Sequence, residues 1–472
     1  MIPPSARPLA LIAALSLPGL ALAAAPIPAR ISQAIHSQGF PAGAVSIVVQ
    51  DPRSGETLLS LNPSEPRSPA STIKVLTTFA ALSQLGPTYH WTTRAWTTAP
   101  VVDGRLAGDL VIEGGGDPFM SAERWWRFAQ ELRDRGLRRI EGDLILDRTL
   151  YATQDLDPDQ FDGHGYRTYN VLPDPLLVNL QAAEFRVRVS GGLAEVVVEP
   201  APANLQLDNA LRVTQGRCTG STGALSFANV GDDPAHIAIS GHVSANCPSY
   251  ERRAIMRAPE FAFGTFLTYW RQLGGEFSGR LKLAPRPGGA TLLAEYQSLT
   301  LAEIIPLVNK HSSNAMARML LLTMAAERYG PPATVANGER ALQAWLETQG
   351  LHFPELVLDN GSGLSRSTRI SAQSMARLLD VAWQSRYWPE IAASVPLGGQ
   401  DGTLRHRFVD LGAEARIRMK TGHLEGVGAI AGWVTARSGR PLSVVVLINH
   451  PGAQYGGGEA VIDTVVRWAV DR

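Results

Sequence analysis

Cysteine is nearly absent from this 472-residue chain, which holds only Cys218 and Cys247. Two cysteines cannot make a disulfide framework, and no C-x-x-C pair is present to build a zinc knuckle. Lysine is almost as scarce, at Lys74, Lys282, Lys310 and Lys420. Positive charge is therefore carried mostly by scattered arginines, and the formal net charge is zero. That balance excludes a nucleic-acid footprint and gives no gross attraction toward an acidic partner. H-E-x-x-H is missing and the ten histidines are dispersed, so neither a resident metal nor another cofactor is expected. Residues 114–117 lack G-x-G-x-x-G, which argues against a dinucleotide site. No fixed-period repeat or low-complexity linker is visible. Beyond the first residues no apolar run is long enough to span a bilayer, so membrane contact is expected to be peripheral at most.

The opening stretch, MIPPSARPLALIAALSLPGLALAAAP, has one early arginine, an apolar run from Leu9 to Leu22 and the small-residue pattern Ala21-Leu22-Ala23. It reads as a secretory signal over residues 1–23 with cleavage after Ala23, and export to the periplasm is expected. In an oxidising compartment Cys218 and Cys247 are expected to pair, closing a loop worth about 3 kcal/mol. The length suggests two or three domains.

Apolar and polar residues alternate through GAVSIVVQD and ETLLSLN, around a turn at Pro52–Gly55, which predicts a β-hairpin. A helix follows in STIKVLTTFAALSQLG, with Val75, Leu76, Phe79 and Leu82 on one stripe and Gly86-Pro87 as its stop. Short strands and one helix occupy the stretch to Asp147, and almost pure β pattern runs from about Val178 to Cys247. Helices then return, one opened by the capping-box pair Thr300 and Glu303. The chain closes with ARIRMKTG, VGAIAGWVTA, LSVVVLIN and a terminal helix. These three closing strands and the two opening ones are expected to share one antiparallel sheet flanked by helices.

Ser71 and Lys74 are three residues apart in a predicted helix, so they share a face and the amine can reach the hydroxyl. A serine hydroxyl is a poor nucleophile until a base removes its proton, and the lysine is a candidate base. An N-capping serine beside a solvated lysine would look the same locally. The rest of the chain decides for chemistry. Ser71-Thr72-Ile73-Lys74, Ser312-Ser313-Asn314 and Lys420-Thr421-Gly422 follow, in order, the S-x-x-K, S-D-N and K-T-G set of class A β-lactamases and penicillin-binding proteins, the middle one as S-x-N. Two of only four lysines complete the two lysine-containing motifs.

With these motifs, and with EGGGDP at 113–118, DNGSGLSRSTRIS at 359–371, GGQDGTLRHRF at 398–408 and KTGHLEGVGAIAGWV at 420–434, the chain resembles the D-alanyl-D-alanine carboxypeptidase/endopeptidases of the penicillin-binding protein 4 type. The 241 residues between Ser71 and Ser312 belong to that resemblance, since class A β-lactamases have a much shorter gap. It implies an α+β fold: a serine β-lactamase/DD-peptidase-like core at 24–90 and 255–472, an inserted accessory domain at 91–175 and a nested β-rich one at 176–254. It implies an exported serine DD-peptidase acting on peptidoglycan stem peptides through a Ser71 acyl-enzyme, and acylation by β-lactam antibiotics. By the same resemblance Lys74 is the base, Ser312 relays the proton, Asn314 orients Lys74, and Lys420 lies across the cleft. Lys420 and Thr421 are expected to bind the terminal carboxylate, Gly422 to allow close approach, and the N–H groups of Ser71 and His423 to form the oxyanion hole. His423 stands where relatives often carry a small hydroxyl residue. Glu425 reads as a solvated loop carboxylate, the 359–365 loop as a shaping element, and His164, His311 and His406 as structural. A β-lactamase-like hydrolase and a non-catalytic cell-wall binding protein of the same fold are the rival readings.

Overall fold

The computed structural model describes residues 26–152, 156–215, 225–244, 247, 249–411 and 416–472. The expected signal segment and Cys218 lie outside these residues. Cys247 is disulfide-bonded.

A five-stranded antiparallel sheet organises the core, in the order Ile417–Leu424, Val427–Thr435, Pro441–Asn449, Val45–Gln50, Thr57–Leu61. The closing strands thus join the opening hairpin, as expected. Both faces are covered. Val45, Ile47, Val49, Val444 and Val446 pack with Ile31, Ile35, Val461 and Val465 from the helices Ala29–Ser37 and Gly457–Val470. On the other face Val48, Ala431, Val445 and Leu447 meet the helices Lys74–Leu85, Leu301–Lys310, Asn314–Tyr329, Val335–Thr348 and Ala372–Gln384. Double coverage explains why Pro441–Asn449 is apolar almost throughout: a strand buried on both faces has no polar side to alternate. The Thr300–Glu303 capping box forms as its spacing requires. Among the described residues no helix is long and apolar enough to cross a membrane.

The Lys74–Leu85 helix is the centre of the larger core. Phe79 is 1% exposed and meets Trp345 edge to face at 5.1 Å. Phe79→Ala is expected to lower stability by about 3–5 kcal/mol, read from the shift of the urea unfolding midpoint at unchanged slope.

Between the opening hairpin and the later core helices the chain builds other sheets. One has the order Leu281–Leu283, Leu144–Asp147, Leu110–Glu113, Thr92–Thr97, Thr291–Gln297, with the helices Ala122–Asp134 and Ala258–Gln272 joined through Trp125, Phe128, Phe266 and Trp270. Among the described residues of 183–253, six strands form two three-stranded sheets. Phe261, Phe266 and Trp270 bury with Trp125 and Phe128 of the Ala122–Asp134 helix, and Thr291–Gln297 pairs antiparallel with Thr92–Thr97.

Candidate active site

Ser71 lies in a 3-10 turn, Ala70–Ile73, that runs directly into the Lys74–Leu85 helix. The turn is entered under strain: Ala70 has φ 45°, a left-handed value costly for a residue with a Cβ. Ser312, the other motif serine, has φ 56° between the helices Leu301–Lys310 and Asn314–Tyr329.

Lys74 is fully buried and has three partners. Its Nζ donates to Asn314 Oδ1 at 2.7 Å and to the Ser362 carbonyl, and lies 2.8 Å from Ser71 Oγ. A neutral amine has two donors and one lone pair. With both N–H groups taken by the fixed acceptors, the lone pair is left for the Ser71 hydroxyl. Burial pushes the Lys74 pKa well below the usual lysine range, and the nearby positive charges of Lys420 and then Arg318 push the same way.

Lys420, also fully buried, donates to Ser312 Oγ at 2.9 Å and to the Thr421 carbonyl at 2.8 Å. Burial lowers its pKa to about 7. Thr421 bonds Thr403 Oγ1 at 2.7 Å, which ties the K-T-G strand to the 398–408 stretch. Gly422 packs on the turn before the nucleophile: a Cβ there would stand 2.6 Å from the Pro69 carbonyl oxygen. His423 is exposed two residues beyond Thr421 on the same strand. That strand is the last of its sheet; residues 396–398 bond its outer flank at Ile417 and Met419, and from Thr421 onward the flank can accept an extended chain.

The structure therefore brings Ser71, Lys74, Ser312, Asn314, Lys420 and Thr421 together, with Gly422 and His423 on the adjoining strand. Sequence reasoning missed three groups. The Ser362 carbonyl holds Lys74, the Tyr169 carbonyl takes the Asn314 Nδ2 at 3.0 Å, and Thr403 holds Thr421. Two are backbone atoms, invisible to a search by residue type. The available signal was the glycine-rich 359–365 stretch: Gly363 has φ +78° and a Cβ on it would fall 2.0 Å from the Ala70 carbonyl oxygen. Gly363→Ala is expected to slow acylation by more than about 100-fold through displacement of Ala70 and Ser362. A stopped-flow acylation time course measures this directly. Glu425 forms an exposed ion pair with Arg366 at 3.2 Å, in keeping with a solvated carboxylate.

Size does not mark this site. A cleft of about 590 Å³ lies where the core meets the accessory layer, lined by Tyr89, Arg94, Glu113 and Arg286 and by none of the motif residues. A cavity of about 320 Å³ lies nearer, between residues 156–173 and the Asn314–Tyr329 helix, and Arg318 lines it.

A model of the D-Ala-D-Ala carboxypeptidase 3 (S13) family matches residues 28–471. The chain belongs to that family. Its S13 relatives include a D-alanyl-D-alanine carboxypeptidase from an Actinomadura species, 31% identical over 430 residues that cover 87% of this chain and 79% of the relative. Another is the D-alanyl-D-alanine carboxypeptidase DacB of Haemophilus influenzae, 25% identical over 427 residues covering 89% and 88%. The crystal structure of penicillin binding protein 4 from Haemophilus influenzae shares the fold, with a TM-score of 0.79 and 22% identity over 94% of this chain and 99% of that one. The S13 protein described here is a serine-type D-Ala-D-Ala carboxypeptidase, a hydrolase.

Proposed function

We propose that this S13 enzyme hydrolyses D-Ala-D-Ala peptide bonds of peptidoglycan stem peptides, in the periplasm, through an acyl-enzyme on Ser71. The observation that carries the assignment is the hydrogen bond between Ser71 Oγ and an amine that is buried and faces a second buried lysine. Neutral Lys74 takes the Ser71 proton as Oγ attacks the penultimate D-Ala carbonyl. The Ser71 and His423 N–H groups receive the oxyanion, each donor worth about 3 kcal/mol in such sites. Ser312, bonded to Lys420, passes a proton to the departing amine and is reprotonated from the Lys74 ammonium, and D-Ala leaves. Water then hydrolyses the ester. β-Lactams acylate Ser71 by the same attack, and ring opening takes the place of departure. Lys420 and Thr421 receive the substrate's terminal carboxylate on the edge strand, where Gly422 admits it closely. The strand pairings further support drawing the accessory module's end near residue 297.

The test is a stem-peptide analogue ending in D-Ala-D-Ala, with free or amidated C-terminus. The free acid is expected to release one D-Ala per turnover, and amidation to lower kcat/KM by about 10- to 100-fold, the worth of a charge-assisted hydrogen bond. Equal rates for acid and amide would remove Lys420 and Thr421 from carboxylate recognition.

A further inference from the structure

The helix Asn314–Tyr329 carries two side chains, one turn apart, that face the inserted segment 162–171. Asn314 uses both ends of its amide: Oδ1 accepts from Lys74 Nζ at 2.7 Å, and Nδ2 donates to the Tyr169 carbonyl at 3.0 Å. Arg318 Nη1 reaches the Val171 carbonyl at 3.4 Å, and its Nε is buried with no hydrogen-bond partner among the described residues. The segment is itself tightly tied. Asp162 accepts from the Tyr169 hydroxyl at 2.7 Å, from Asn170 Nδ2 at 2.7 Å and from the His164 N–H at 3.1 Å. Val171 packs on the same helix against Ala315, Met319 and Leu322.

We propose that the 162–171 segment of the inserted module is a positioning element of the catalytic centre, fixing the Asn314 amide and the Arg318 charge so that Lys74 stays an acceptor toward Ser71. An asparagine amide can turn over, exchanging oxygen for NH2. With the Tyr169 carbonyl claiming Nδ2, only Oδ1 can face Lys74. A flipped amide would offer an N–H to the amine's lone pair and block its use as a base. Arg318, partly buried beside it, disfavours a second cation at Lys74 and depresses that amine in the same direction as Lys420. Asp359 faces Arg318 from the 359–365 loop and tempers its charge; Asp157 and Arg366 line the same cavity farther out. The inserted module is then a part of the machinery that a small-antibiotic hydrolase lacks.

This inference rests on Lys74 as the base, and the test separates the two. Acylation by nitrocefin is followed by stopped flow across pH 5 to 9, resolving the limiting rate from the encounter constant, in full-length Asp162→Ala, Arg318→Met, Arg318→Lys and Lys74→Met. Asp162→Ala is expected to lower the limiting rate by about 10- to 100-fold with the encounter constant unchanged. Arg318→Met is expected to move the acid limb to higher pH, because loss of a positive neighbour lets Lys74 hold its proton longer, and Arg318→Lys to restore it. A slow Lys74→Met beside wild-type rates and limbs in Asp162→Ala and Arg318→Met overturns the inference alone. A wild-type rate in Lys74→Met overturns the base assignment and the inference with it. Should Arg318→Met fail to fold, Asp162→Ala, in a partly exposed loop, decides alone.

Discussion

Ser71→Ala is expected to lower D-Ala release by at least about 10⁴-fold and to abolish acylation by penicillin, with the fold intact. The magnitude follows from removing a nucleophile whose partners act as a unit, since no other group can form the covalent intermediate. In the described structure Lys74 would lose one of three partners and keep Asn314 and the Ser362 carbonyl. Ser71 is partly exposed, so truncation leaves no core cavity. A combination of D-Ala assay and unfolding midpoint checks both halves: a large loss of rate at an unchanged midpoint.

Lys74→Met is the second large effect, about 10²- to 10⁴-fold in acylation, the range for removing a general base. Methionine keeps the length and apolar body of the side chain, and its sulfur cannot take the Ser71 proton. The pH profile carries the finer evidence. Wild-type kcat/KM should rise with pH as Lys74 becomes neutral, because the neutral amine is the active form. It should fall again as Lys420, lowered by burial to about 7 in the empty site, loses the charge that binds a carboxylate. The result is a bell whose alkaline limb falls near pH 7. In Lys74→Met the acid limb should vanish from the residual rate; a limb kept at its wild-type position would assign it to another group.

Much of this site was legible because its chemistry sits in short local spacings. Ser71 and Lys74 are one turn apart, and Lys420 through His423 are consecutive on one strand, so residue type and helix or strand period suffice to group them. The core sheet was legible for a similar reason, since the alternation around the Pro52–Gly55 turn and the short apolar runs of the closing stretches identify strands. Other features depend on long-range backbone placement. Ser362 and Tyr169 act through carbonyls, which every residue has, and only the packing of the 359–365 loop and the 162–171 segment brings them to Lys74 and Asn314. The packing of residues 258–297 depends on long-range placement in the same way. Helical period identifies a helix in Ala258–Gln272 without telling which aromatic cluster it will fill, and Trp125 and Phe128 of the accessory helix supply that cluster. Glu425 was read as a loop carboxylate, but its Arg366 partner required the fold, as did the run of the strand past ARIRMKTG through His423 to Leu424.

The claim at the centre of this account is a covalent intermediate on Ser71. Its most direct test is the intact mass of the protein after brief exposure to benzylpenicillin, with Ser71→Ala measured alongside. One added penicillin per chain in the wild type and none in Ser71→Ala is the predicted result. An adduct that persists in Ser71→Ala, or a wild-type chain that gains no mass while the penicillin stays intact, would contradict it.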